Sequence, residues 1–121
     1  MNPANLFSHE TNPVRLAPGQ TLFSAGDAPD GMYVLLEGTL DVIVSGQVVE
    51  QSVRGAIIGE MAIIDQSPRG ATVVAREAAS LARLDAGRFQ RLIQQNPFFA
   101  THVMQVLVER IRHMDKLIKA A

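Results

Sequence analysis

The feature that most constrains this chain is how soon each of its apolar runs is cut short. Between residues 14 and 85, short runs rich in Val, Ile and Leu are broken at close intervals by Gly, Pro and Asp. Helices of ordinary length cannot be built from such pieces, whereas strands of four to eight residues can. Residues 39–45 show the pattern best. Leu40, Val42 and Val44 fall on one face and Asp41, Ile43 and Ser45 on the other, as in a half-buried strand. Gly38 and Gly46 bracket the run and permit the positive backbone angles of tight connections. Strands are likewise expected over 32–37, 47–53, 71–76 and 80–85. Many short strands with frequent turns predict an antiparallel roll or sandwich.

The period changes at Asp85, which can cap a helix over 86–95 with Phe89, Leu92 and Ile93 as its apolar face. Asn96-Pro97 ends that helix, and Pro97 suits the first turn of another running to about Ala120. On this last helix Val103, Leu107, Ile111, Met114 and Ile118 form one stripe, which Met104 and Val108 widen. Its first half is apolar nearly all round, so one side should pack on the roll and another should meet a partner. About 24 residues span roughly 36 Å, longer than a small roll covers, which favours pairing between copies over folding back. The expected organisation is a single domain over 1–121, with an N-terminal segment (1–13), a roll (14–85) and C-terminal helices (86–120).

Composition excludes several classes. With 47% apolar residues the chain is globular, and with no cysteine it has neither disulfides nor thiolate metal sites. Residues 1–13 lack the basic start and apolar core of a signal peptide, and no run of about 18 apolar residues exists. A cytoplasmic protein without membrane contact is expected. His9, His102 and His113 are scattered, so no metal site is expected. No Ser or Cys sits in a nucleophile elbow, and no catalytic residue or enzymatic activity is expected. The net charge of −1 divides unevenly: residues 1–85 hold five Lys/Arg and ten Asp/Glu, residues 86–121 six and two. The basic residues are spread out, as on a solvated helix end, and do not predict direct DNA binding.

The chemistry concentrates in residues 58–73, Ile58-Gly59-Glu60-Met61-Ala62 through Pro68-Arg69-Gly70-Ala71 to Val73. Gly59 opens and Pro68 closes a short loop containing a one-turn helix. The N-terminus of such a turn gathers free N–H groups that suit a phosphate. Arg69 can bring a planar two-pronged donor to the same anion. Glu60 would repel it, and fits instead a sugar hydroxyl. A similar run, Arg54-Gly55-Ala56, is read as a surface charge followed by a turn. A plain surface ion pair between Glu60 and Arg69 would not need the flanking Gly and Pro.

This stretch resembles the phosphate-binding cassette of cyclic nucleotide-binding domains, which occur in catabolite-activator-type regulators, regulatory subunits of cAMP-dependent protein kinase, and cyclic nucleotide-gated channels. Pro18-Gly19-Gln20-Thr21-Leu22-Phe23, Gly26-Asp27 and 32–38 resemble the family's first strands and turns, and the likeness covers roughly residues 14–120. The resemblance implies a mainly β fold with flanking helices, a double-stranded β-helix (jelly roll) followed by two C-terminal helices. It implies a ligand, cAMP or cGMP, and no other cofactor. Its site would comprise Gly59, Glu60, Met61, Ala62, Arg69, Gly70 and Ala71. Arg69 and the N–H groups of Ala62 and Gly70 would hold the phosphate, and Glu60 with the Gly59 backbone the ribose 2′-hydroxyl. Ile57 and Ile58 would wall the base. In the family the last helix forms a parallel dimer, so a homodimer is expected here.

Two positions depart from the family pattern. Ile58 stands where Phe is common, and Gly70 where a hydroxyl is often found. The missing hydroxyl tilts the expectation towards cAMP, since cGMP-selective members use one there, while Thr72 is expected to point away. No helix-turn-helix follows the last helix in these 121 residues, and the thirteen before the first strand cannot form a channel. The competing classes are a ligand-independent dimerisation module and a regulator acting on DNA through a partner.

Overall fold

Met32-Tyr33-Val34-Leu35-Leu36 is apolar at every position, where a strand wetted on one side would alternate. A computed structural model, which describes residues 2–120 with side chains as far as 113, shows why. After a 3₁₀ turn at Pro3–Phe7 the chain forms β1 (Val14–Leu16), β2 (Thr21–Phe23), β3 (Met32–Glu37), β4 (Leu40–Val44), β5 (Gln47–Ser52) and β6 (Ile57–Ile58). Then follow α1 (Met61–Ile64), β7 (Thr72–Ala75), β8 (Ala79–Leu84), α2 (Ala86–Gln95) and α3 (Pro97–Ala120). The strands make two four-stranded antiparallel sheets, ordered β1-β8-β3-β6 and β2-β7-β4-β5. This is the jelly-roll architecture with two C-terminal helices.

The first sheet is covered on both faces. Tyr33, Leu35, Ile58 and Leu81 face the second sheet in one core with Leu40 and Val73. Met32, Val34, Ile57, Ala82 and Leu84 face the other way, into a second core with Phe7, Phe99 and Val103. Phe89, Leu92 and Ile93 of α2 pack on that second core, as the helical period requires. α2 begins where its cap lies: Asp85 accepts a hydrogen bond from the Arg88 N–H at 2.7 Å.

Strand ends shift by a residue from the sequence expectation. β5 stops at Ser52 because residues 53–56 turn, with the Ala56 N–H donating to the Val53 carbonyl. β7 starts at Thr72, and β8 covers Ala79–Leu84, leaving Asp85 for the helix. A bulge at Val49 lets Val42 oppose Glu50 while Ile43 opposes Val48. Leu40 is fully buried, Val42 half-buried and Val44 exposed, because their common face opens from the core onto a cavity. On α3, Val103 is buried and Leu107 packs on the second core, whereas Phe98, Met104, Val108 and Ile111 are exposed. Met114 and Ile118 lie outside the described side chains. No helix among the described residues is long and apolar enough to cross a membrane.

Candidate functional site

The cassette hangs between the sheets, entered from β6 and left into β7. Gly59 takes φ +74°, and a Cβ there would collide with the Arg69 guanidinium. Glu60 occupies the N-cap position of the single turn of α1 with no capping bond from its side chain, and the Ala62 N–H already donates to the Gly59 carbonyl at 3.2 Å. The loop beyond is folded on Asp65, which accepts from the Ser67 hydroxyl at 2.6 Å and the Ser67 N–H at 3.0 Å. Those bonds, the hydroxyl's first, hold the Asp65 carboxyl below its ordinary value. Arg69 itself is clamped by its backbone: its N–H donates to the Asp27 carbonyl and its carbonyl accepts from the Gly26 N–H.

Arg69 is only 6% exposed. Its guanidinium donates to Asp30 at 2.8 Å and to the carbonyls of Gly31 and Gly59 at 2.7 and 3.1 Å. It lies 4.1 Å over the Phe23 ring, and its Nε is buried without a partner among the described residues. Asp30 also accepts from the Tyr33 hydroxyl at 3.4 Å. Burial first, and the Asp30 charge second, push that hydroxyl above its ordinary value of 10.

Glu60 is 3% exposed and does not meet Arg69. Its Oε1 is paired with Arg110, which reaches across from α3 and also donates to the Ile57 carbonyl at 2.8 Å. Its Oε2 is buried and unpaired among the described residues. The two charges that a simple surface pair would have joined are thus buried separately, each with a partner from elsewhere and each with one polar atom left over.

Gly59, Glu60, Met61, Ala62, Arg69, Gly70 and Ala71 all line one cavity of about 630 Å³, whose remaining walls are mostly apolar. Ile58 lines it too, but Ile57 does not: strand alternation turns it into the core beneath α2 and α3, correcting its expected place beside a base. Thr72 points away, its hydroxyl accepting from the Ala25 N–H at 3.0 Å. Arg54 is occupied at the N-terminal turn, donating to Asn5 at 2.9 Å.

Residues 13–96 match the model of the cyclic nucleotide-binding domain. The chain belongs to that family. The fold of this cyclic nucleotide-binding domain is that of the Thermus thermophilus catabolite activator protein, with a TM-score of 0.79 at 23% identity over 94% of this chain and 61% of that one. A cyclic nucleotide-binding domain from Methylobacillus flagellatus KT is 29% identical, with a TM-score of 0.71 over 88% of this chain and 66% of the other. A patatin-like phospholipase domain-containing protein of Caenorhabditis elegans is 33% identical over 89 residues, 74% of this chain. The domain spans only about 7% of the length of such curated relatives.

Three residues of the site escape a reading of the cassette alone. Asp30 and Phe23 frame Arg69 from 39 and 46 positions upstream, and Arg110 reaches Glu60 from 50 positions downstream. A signal for Arg110 was present. It follows Val103 and Leu107 at helical spacing, so a cation sits on the stripe that faces the roll.

Proposed function

We propose that this domain is a cytoplasmic receptor for a cyclic nucleotide, with cAMP its preferred ligand. The observation that carries the reading is the unpaired pair of atoms: Arg69 Nε, a buried donor, and Glu60 Oε2, a buried acceptor, on residues that line one cavity. An unsatisfied buried polar atom costs about 1–3 kcal/mol. A ligand with a phosphate beside a free hydroxyl serves both: the phosphate accepts from Arg69, and the ribose 2′-hydroxyl donates to Glu60. The Gly70 N–H supplies a further donor to the anion, and the Ala62 N–H joins it by giving up the Gly59 carbonyl that it now meets at 3.2 Å.

Binding in this reading is an exchange. Arg69 trades Asp30 for the phosphate, an acceptor of equal charge that also reaches the unpaired Nε, and Glu60 shares or gives up Arg110 for the ribose. Because Arg110 belongs to α3, occupancy of the cassette biases where that helix lies, as a ligand selective for one state must. The test is calorimetry on two variants. Arg69→Ala should weaken cAMP by about 2–5 kcal/mol, the scale for removing a desolvated charged partner. Arg54→Ala, occupied elsewhere, should cost under about 1 kcal/mol. The reverse ranking would place the phosphate at the wrong Arg-Gly-Ala run.

A second reading has its own observation. Phe98, Met104 and Ile111 on α3 are 76%, 58% and 65% exposed, and a helix with that much apolar surface fits pairing with a second copy. Homodimerisation through α3 is compatible with a receptor, and on its own makes a ligand-independent dimerisation module. Sedimentation at rising concentration with and without cAMP separates them. A dimer insensitive to nucleotide, with no heat on titration, favours the module.

A further inference from the structure

The inner face of the second sheet ends on a carboxylate. Residues directly opposite on neighbouring strands point to the same face, and the register joins Phe23 to Val73, Val73 to Val42 and Val42 to Glu50. One row of side chains thus crosses β2, β7, β4 and β5, and all four line the cavity. Val73 is buried in the core between the sheets, so the row faces inward. Ser52, two residues beyond Glu50, confirms the parity: it is buried opposite Leu40.

The ends of this row differ in charge. Arg69 lies over Phe23 at one end, Glu50 stands at the other, and two valines separate them. With strands about 4.8 Å apart, β2 and β5 are on the order of 14 Å from each other. Such a floor suits a ligand with an anion at one end, a flat apolar middle and hydrogen-bond donors at its far edge. Resting on the receptor reading above, we propose that Glu50 selects the base, accepting a hydrogen bond from the exocyclic amino group at purine position 6.

An ionised carboxylate offers acceptors only, so at position 6 it attracts the amino group of adenine and repels the carbonyl oxygen of guanine, whose own donors stand at positions 1 and 2. Before ligand enters, the donor side chains lining the cavity have partners: Ser67 in Asp65, Arg69 in Asp30, with its Nε left over for the phosphate, and Arg110 in Glu60. Glu50 is exposed at the rim, so a bound base completes its wall. An inward charge on an edge strand can also serve to discourage strand pairing between molecules. That role would alter stability or aggregation and leave the choice of ligand alone.

The experiment titrates wild type and Glu50→Ala with cAMP, cGMP and the cyclic monophosphate of purine riboside, which has hydrogen at position 6. Wild type should bind cAMP about three- to tenfold more tightly than the analogue, the worth of one net hydrogen bond. Glu50→Ala should lose that margin, binding the analogue as wild type does, and should narrow the gap between cAMP and cGMP. If wild type binds cAMP but the substitution weakens both ligands equally, or neither, the base assignment fails while the receptor stands. If wild type binds no cyclic nucleotide, both fail together.

Discussion

Gly59 is the residue on which the cassette geometry turns. Its positive φ and its contact with Arg69 leave no room for a side chain. Gly59→Ala should therefore displace the guanidinium, reducing cAMP affinity more than thermal stability, as paired calorimetry and unfolding would show. Glu60→Gln keeps shape and an acceptor but removes the charge, and should weaken cAMP by about 1.5–3 kcal/mol. The telling comparison is 2′-deoxy-cAMP: wild type should lose affinity for it, and the Gln variant should hardly distinguish the two. Additive losses would mean that Glu60 acts elsewhere, because two changes removing one contact cannot each cost its full amount. That the cassette residues gather at one place was legible, because Gly59 and Pro68 frame them within one local stretch, and they do line one cavity. Asp30 was not, and Arg110 showed only as a cation on the inward stripe of its helix, since nothing local ties either to positions 39 and 50 residues away.

At the scale of elements, α2 and α3 were legible to the residue because their starts are chemical: the Asp85 carboxylate caps one and Pro97 opens the other. Strand ends were less so, since ladder partners from distant sequence set them. A partner from distant sequence also ties α3 down. Arg110→Leu would leave Glu60 buried and unpaired, so it should destabilise the domain by about 1–3 kcal/mol, discounted because Arg110 is partly exposed. Adding Glu60→Gln should recover part of the loss, which chemical unfolding of the single and double variants would check. The N-terminal segment is tied down by charge as well. Burial draws the Glu10 carboxyl upward, but the Arg88 hydrogen bond, the Asn12 N–H and the Arg88 charge together hold it below its ordinary 4.5. A depressed carboxyl stabilises the fold above about pH 4.5 and loses that contribution as pH falls through its folded value. Melting temperature should drop on acidification through that range, and less steeply in Glu10→Gln.

For the whole molecule, the jelly roll could be read from many short strands, but the order β1-β8-β3-β6 against β2-β7-β4-β5 could not. Its only trace was the unbroken apolar run at 32–36, the mark of a strand covered on both faces. That layering places the cassette and its cavity between the roll and α3, where Leu107, Arg110 and Ile111 complete the wall. A ligand there touches both parts, so it should raise the melting temperature, with about 2.7 kcal/mol gained at a hundredfold excess over its Kd. The most direct measurement is calorimetric titration of the wild-type chain with cAMP and, separately, with adenosine. One cAMP per chain, and adenosine binding far more weakly, is the predicted result. Equal affinity for the two would remove the phosphate cassette from the mechanism, and no heat with cAMP or cGMP would contradict the receptor itself.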